Sequence, residues 1–260
     1  MIDPAFTAAA AAAADVAAAV IRPFYRSRLN ADLKHDSSPV TIADQTAEQA
    51  MRAVLAHRFP THGIEGEEYG VDRPGARYRW VLDPIDGTRA FITGRPMFGT
   101  LIALLEEGRP VLGILDQPIS AERWTGVLGQ PTTFTGGPGH VGVRSCPALA
   151  AAELSCTAPE IFSEPETRRW RRLQAAAART TWGGDCYAYG LVALGGVDVI
   201  AEAGLKVWDW AALVPIIEGA GGRMTDWAGA PLHPGSDGRV LAVGDPALHS
   251  PAIHLLEEFA

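Results

Sequence analysis

Apolar and polar positions along this 260-residue chain follow two periods, and the change between them divides it into helical and extended stretches. Residues 4–29 are rich in alanine and predict a helix with Pro4 near its start, followed by a polar, loop-like segment from Asn30 to Pro39. Thr41 and Asp44 have the spacing of a capping pair, and Ala43, Ala47, Ala50, Met51, Val54 and Leu55 continue a helical stripe behind them. Ile64 leads into Gly66-Glu67-Glu68-Tyr69-Gly70, a strand end that breaks into a loop. Strands are then predicted at Tyr78–Leu82, Gly99–Leu105, Val111–Leu115 and Glu122–Val127. Turn formers such as Glu107-Gly108-Arg109-Pro110 separate them, which suits antiparallel neighbours.

From Pro131 to Gly139 the chain is mostly Thr, Gly and Pro, a candidate hinge or long surface loop. Beyond it the pattern predicts helices at Glu164–Ala178 and Tyr187–Leu194, a strand at Val197–Ala201, and a helix from Trp210 to about Gly219. In that last helix Ala212, Leu213, Ile216, Ile217 and Ala220 share a face, and Pro215 predicts a kink. The alternation is that of an α+β or α/β protein in two halves, residues 1–130 and 131–260, packed as one unit.

Composition narrows the function classes. Hydrophobic residues make up 47% of the chain, enough for a large core. A net charge of −8 with no long basic run argues against nucleic-acid phosphates and anionic membranes as partners. The Arg168-Arg169-Trp170-Arg171-Arg172 cluster, preceded by Glu164 and Glu166, reads as a solvated helix face. Cys146, Cys156 and Cys186 show no CxxC spacing, which disfavours a disulfide scaffold or zinc site and fits a reducing cytoplasm. The Ala-rich run Ala8–Ala14 is interrupted by Asp15 and has no basic residue before Arg22, so neither signal-peptide order nor membrane length is expected.

The candidate chemistry lies at Trp80-Val81-Leu82-Asp83-Pro84-Ile85-Asp86-Gly87-Thr88, where an apolar strand ends in two aspartates. Pro84 fixes its own φ and biases Asp83 toward extended backbone, and Gly87 permits a turn that other residues resist. Both carboxylates can then face one spot. A helical turn starting near Gly87 would place free N–H groups beside them, an arrangement suited to an anion. Carboxylates beside an anion need cations between, and hard oxygen donors suit Mg²⁺. The plainer alternative is that Asp83 or Asp86 caps a turn, since Asp-Gly is a common turn dipeptide. Glu67 and Glu68 lie at a second strand-to-loop break, and Asp209 directly precedes an apolar helix, where an ordinary N-cap is its alternative role.

Gly66-Glu67-Glu68, Asp83-Pro84-Ile85-Asp86-Gly87-Thr88, Trp208-Asp209-Trp210-Ala211-Ala212 and Glu218-Gly219-Ala220-Gly221-Gly222 occur in this order along nearly the whole chain. In these motifs the chain resembles the inositol monophosphatase family of magnesium-dependent phosphatases. Arg89-Ala90-Phe91-Ile92-Thr93-Gly94, Phe98-Gly99-Thr100-Leu101 and Trp182-Gly183-Gly184-Asp185-Cys186-Tyr187-Ala188-Tyr189-Gly190 are most similar to its histidinol-phosphate phosphatase branch. Neighbouring branches act on inositol phosphates, fructose bisphosphate or nucleoside bisphosphates.

The resemblance implies a layered αβαβα sandwich, commonly dimeric, with two or three Mg²⁺ ions between its halves; Mn²⁺ is an alternative ion. By the same resemblance Glu67, Asp83 and the Ile85 carbonyl hold one ion, and Asp83, Asp86 and Asp209 hold a second. Asp44 matches a position near a weaker metal and pairs functionally with Thr88, or is simply a first-turn helix carboxylate. Glu67 and Thr88 would orient and deprotonate the attacking water, while the Gly87 and Thr88 amides hold a phosphate oxygen. Asp185 and Glu202 map to contacts with the alcohol, and two carboxylates complement histidinol, which carries an amine and an imidazole. Arg89 or Arg95 meeting a second phosphate keeps bisphosphates open as substrates. The implied activity is hydrolysis of L-histidinol phosphate, with inositol-1-phosphate as the alternative ester. A binding protein that keeps the fold without turnover is a further reading, disfavoured by the intact Thr88. No arginine follows Cys186 at cysteine-phosphatase spacing, since position 192 is Val192.

Overall fold

The structure, a computed structural model, describes residues 2–27, 32–33 and 39–257. The N-terminal half opens with helix α1 (Pro4–Ile21), a short ladder of strands β1 (Asp32–Leu33) and β2 (Pro39–Val40), and helix α2 (Ile42–Arg58). There follow β3 (Gly63–Gly66), β4 (Gly70–Asp72), β5 (Tyr78–Asp86), the short helix α3 (Thr88–Ile92), β6 (Gly99–Glu106), β7 (Arg109–Gln117), β8 (Glu122–Val127) and β9 (Thr133–Thr135). The remainder is β10 (Glu153–Cys156), α4 (Glu164–Ala176), β11 (Arg179–Trp182), α5 (Asp185–Ala193), β12 (Val199–Glu202), α6 (Val207–Trp210), α7 (Leu213–Gly219), β13 (Arg223–Thr225), β14 (Val240–Val243) and α8 (His249–Leu256).

Two sheets carry the architecture. One has seven strands in the order β4-β3-β5-β6-β7-β8-β9, antiparallel except between β3 and β5. The other has five, ordered β11-β10-β12-β14-β13. Three separate cores show how the layers stack. Helices α1 and α2 cover one face of the large sheet through Ala13, Ala17, Met51 and Leu55 against Trp80, Leu82, Ile102 and Leu104. Its other face packs through Val81, Leu101, Ala103 and Leu105 onto α5, α6 and α7, which also meet Ile200 and Ala242 of the small sheet. Trp170 and Leu173 of α4 and Ala252 and Leu256 of α8 cover the far face of the small sheet. The result is the expected αβαβα sandwich. It explains why β5 and β6 are apolar without alternation: successive side chains enter different cores, and both are dry.

Several elements depart from the sequence expectation for identifiable reasons. Helix α1 stops at Ile21, short of residue 29: Arg22 keeps helical backbone, but Pro23 has no N–H to continue the ladder, and a 3₁₀ turn, Arg22–Phe24, replaces it. The predicted loop at Asn30–Pro39 falls largely outside the described residues; Asp32–Leu33 pairs with Pro39–Val40. The segment Pro131–Gly139 contains β9, which extends the large sheet by pairing with β8, so backbone pairing overrides its turn-like composition. The single helix predicted from Trp210 to Gly219 is two, α6 and α7. Pro215 stands in the first turn of α7, where a helix needs no N–H donor.

Helix α7 lies unusually close to the sheet. Gly113 and Gly126 are cross-strand partners, and a Cβ on either would fall 1.9 Å from the Ala212 oxygen or 2.4 Å from the Ile216 nitrogen. Two facing glycines thus form the seat of the helix. The arginine cluster of α4 is likewise more than a solvated face: Arg169 Nε donates to the Leu256 oxygen, Arg172 Nε to the Leu255 oxygen, and Arg169 lies over Trp227. By length and apolarity the segment Pro4–Phe24 could cross a membrane, contrary to the sequence expectation, and 44% of its apolar window is buried. Its Ala9, Ala10, Ala13, Ala14 and Ala17 are core residues of the first layer.

Candidate active site

In a regular strand, residues three apart point to opposite faces, which would separate Asp83 from Asp86. Strand β5 avoids this with a bulge. Asp83 pairs with Leu101 and Asp86 with Gly99, so three steps on β5 are matched by two on β6. The extra residue restores both aspartates to one face. Pro84, which has no N–H to give to the ladder, sits at the irregularity, and the buried Thr100 hydroxyl donates to its carbonyl at 2.8 Å. Asp209, in the first turn of α6, approaches from across the sandwich. Carboxylate oxygens of Asp83, Asp86 and Asp209 all lie within 4.8 Å of one another.

Each of the three is fixed by a backbone N–H. Ile85 N donates to Asp83 Oδ1 at 3.0 Å, Cys186 N to Asp86 Oδ2 at 2.6 Å, and Lys206 N to Asp209 Oδ2 at 2.6 Å. Asp209 is therefore not the N-cap, which is Lys206; it is the third residue of α6 and accepts the N-cap N–H, and this role accompanies the clustering. Burial, followed by the charges of Glu67, Asp86 and Asp209, pushes Asp83 well above the ordinary carboxylate range. Burial and Asp209 raise Asp86 from 3.8 to about 7. Asp209 also rises to about 7, through burial and the charges of Glu67 and Glu202. Carboxylates this close, held by amides and raised by one another, form a hard-oxygen set that fits a divalent cation.

Glu67 lies in the β3–β4 turn, outside the three-carboxylate group, and its charge acts on Asp44, Asp83 and Asp209. Its backbone N–H donates to the Leu82 oxygen at 3.2 Å, which ties the turn to β5. Asp44 forms the predicted capping box with Thr41, whose N–H reaches Asp44 Oδ2 at 2.9 Å. Burial raises Asp44 to about 6 against the lowering effect of those bonds. The Thr88 hydroxyl donates to the Ile85 oxygen at 3.1 Å, so the contact drawn by Thr88 is with Ile85, whereas Asp44 is engaged by Thr41. Gly87 has φ +89, and α3 begins directly after it.

Opposite the aspartates is a cavity of about 220 Å³ lined by Asp86, Asp185, Cys186, Tyr189, Glu202 and Asp209, among others. Asp185 opens α5 with φ +43, a left-handed backbone that Asp tolerates better than most residues. A Cβ on Gly87 would lie 3.1 Å from the Asp185 Cβ, so the two turns touch. Burial and the charges of Asp86 and Glu202 raise Asp185 to about 8, with Arg89 and Arg95 opposing. Glu202 is raised mainly by burial, and it accepts from Thr157 N at 2.6 Å and from the Tyr189 hydroxyl at 2.9 Å. Sequence reasoning missed Thr157, which lies in no motif, and gave no role to Tyr189 although it stands in the Trp182–Gly190 motif. It also missed Glu48, an acidic residue on the buried stripe of α2, whose position among Ala47, Met51 and Leu55 was the available signal. The three cysteines are buried free thiols, and burial raises Cys186 well above the ordinary thiol range.

Converging carboxylates beside the start of a short helix, set in a layered sandwich, suit a divalent cation and an anion held together. The profile of the inositol monophosphatase family matches residues 3–259, and the chain belongs to that family. It is 46% identical to the bifunctional phosphatase IMPL2 of Arabidopsis thaliana, over 97% of this chain and 75% of that protein. Against the histidinol-phosphatase of Mycobacterium tuberculosis the identity is 38%, over 80% of this chain and 82% of the relative. The solved structure of an inositol monophosphatase from Zymomonas mobilis superposes with a TM-score of 0.88 at 54% identity, covering 96% of each chain. The chain is thus a phosphatase of this family, a phosphoric monoester hydrolase.

Proposed function

We propose that this phosphatase is Mg²⁺-dependent and hydrolyses L-histidinol phosphate to L-histidinol and phosphate. Asp83, Asp86 and Asp209, with Glu67 and the Ile85 carbonyl beside them, are the residues that would hold the ions. When bound, Mg²⁺ supplies Lewis acidity toward the phosphoryl oxygens, the water and the departing alkoxide. The chain's own groups do the rest. The Thr88 hydroxyl has its proton committed to Ile85, so its oxygen accepts from the attacking water and aligns it, with Glu67 as the base. The amides of Gly87 and Thr88, at the start of α3, take a phosphate oxygen. Asp44, whose charge acts on Asp83, completes the acidic surround. The P–O bond to the alcohol breaks as the water oxygen bonds to phosphorus, and the proton removed from water is returned to the alkoxide.

One observation carries the choice of ester: Asp185 and Glu202 line the same cavity as Asp86 and Asp209, on the side where the alcohol would lie. The oxygens of Glu202 are engaged by Thr157 and Tyr189, so Asp185 is the carboxylate available to a cationic alcohol. Histidinol offers an ammonium and an imidazole, whose positive charge would favour the ionised form of the raised Asp185 carboxyl, and a neutral polyol gains less. The histidinol-phosphatase relative supports this reading. The likeness to the Zymomonas mobilis inositol monophosphatase favours inositol-1-phosphate as a second reading. Phosphate release from histidinol phosphate, inositol-1-phosphate and fructose bisphosphate, with and without Mg²⁺, tests both. A higher kcat/KM on histidinol phosphate supports the proposal, and preference for another ester rejects it.

A further inference from the structure

Glu48 has no accessible surface, yet its carboxylate is inserted into the turn that carries Glu67. Its Oε2 accepts from the Glu68 N–H at 2.8 Å, and its Oε1 from the Tyr69 N–H at 3.3 Å. The approach is close enough that a Cβ on Gly66 would lie 2.0 Å from Oε1. Arg52, one helical turn along α2, compensates the buried charge through Nε at 2.7 Å. The same guanidinium donates to the Gly70 oxygen and pairs with Asp72 at 3.1 Å, and Gln49 reaches the Tyr69 hydroxyl at 2.6 Å. Residues 66–72 are therefore gripped from α2 on both sides of Glu67.

We infer that Glu48 is a positioning residue for the metal site: it fixes the turn geometry that aims Glu67 at Asp83 and Asp209. This role of Glu48 rests on that of Glu67 in the proposed function. Repulsion of Glu67 by Asp44, Asp83 and Asp209 pushes the Gly-Glu-Glu-Tyr-Gly turn outward when no cation is present, against the bond from the Glu67 N–H to Leu82. Two amide bonds to a buried carboxylate, with a glycine that admits it, oppose that motion. Helix α2 thus acts on the site from two adjacent turns, through Asp44 in its first turn and Glu48 one turn later.

The test uses the full chain and Mg²⁺ alone as the probe. Glu48→Gln keeps the size and loses the charge. Glu48→Asp keeps the charge and the partner Arg52 but falls one methylene short of the Glu68 N–H, so it serves if the first variant folds poorly. In calorimetry either variant should weaken Mg²⁺ binding at least ~10-fold. Hydrogen exchange should accelerate at Glu68 and Tyr69 in the metal-free protein. At saturating Mg²⁺, KM for the ester should stay within about 2-fold while kcat falls about 10-fold or more. Lower thermal stability with unchanged Mg²⁺ affinity and unchanged exchange at those two amides would make Glu48 a merely structural residue and overturn the inference. Glu67→Gln is measured in parallel. If it alone weakens Mg²⁺ binding, the inference about Glu48 fails; if it leaves Mg²⁺ binding intact, the reading of Glu67 itself fails.

Discussion

Replacing Asp209 with Asn should stabilise the metal-free protein while disabling the enzyme. The introduced amide side chain would retain an oxygen to accept from Lys206 N, so the first turn of α6 stays capped. What disappears is a charge held among Asp83, Asp86 and Glu67. The carboxyl of Asp209 is raised from 3.8 to about 7 by burial and by the charges of Glu67 and Glu202. At about pH 8 its ionisation therefore opposes folding by ~4 kcal/mol, at ~1.4 kcal/mol per pH unit. The amide still occupies a polar, partly dry position, so we expect a net gain of about 2–4 kcal/mol. In a domain of this size 1 kcal/mol moves Tm by roughly 2–4 °C, which makes the increase roughly 4–16 °C in the presence of a chelator.

The pH dependence fixes the origin of that gain. A raised carboxyl means that the folded state holds its proton where the unfolded chain has lost it, so metal-free stability falls as pH rises from about 4 to about 7 and then levels off. The advantage of Asp209→Asn should accordingly be absent near pH 4 and complete above about pH 7. Saturating Mg²⁺ should reverse the ranking, since a ligand stabilises the form that binds it more tightly. Turnover should fall at least ~100-fold. Differential scanning fluorimetry across pH, with chelator or Mg²⁺, reads all of this. A variant that is less stable than the parent at pH 8 in chelator, or that turns over normally at saturating Mg²⁺, would refute the reasoning.

Other substitutions separate the parts of the site. Asp185→Asn, which tolerates the left-handed backbone at that position, should lower kcat/KM on histidinol phosphate by about 10- to 100-fold and on inositol-1-phosphate much less; equal losses on both would remove the basis for the ester assignment. Thr88→Ala should reduce kcat by about 10²-fold or more with Mg²⁺ affinity unchanged by calorimetry, and Thr88→Ser should recover most of it. Gly113→Ala should destabilise by about 3 kcal/mol, seen as a lower urea midpoint at constant slope, because its Cβ meets the Ala212 oxygen of the α6–α7 junction, a backbone atom that cannot rotate away.

Much of the site was legible because its chemistry and its backbone signals occupy the same short stretches. Asp83-Pro84-Ile85-Asp86-Gly87-Thr88 announces carboxylates, a broken ladder and a left-handed turn together, and the capping pair Thr41/Asp44 marks the start of α2 within one residue. Strand β8, Glu122–Val127, lies where the strand-rich series between turn formers placed it. What escaped depends on partners distant in sequence. The strand at Thr133–Thr135 exists because β8 offers an open edge, which composition cannot show. Pro215 looked like a kink until the helix proved to begin just before it. Glu48 and Arg52 resemble an ordinary i,i+4 surface pair; only the fold brings Gly66 against them and makes the pair internal. The register of the bulge that turns Asp83 and Asp86 to one face is set by pairing between β5 and β6, and only Pro84, which marks its place, was legible in the strand itself.

The most direct test of the metal assignment is anomalous diffraction from crystals grown with Mn²⁺ in place of Mg²⁺, under conditions where the enzyme turns over. The account predicts an anomalous peak enclosed by the carboxylates of Asp83, Asp86 and Asp209. A catalytically active Mn²⁺-loaded crystal with no peak there, or with its peaks elsewhere, would contradict it.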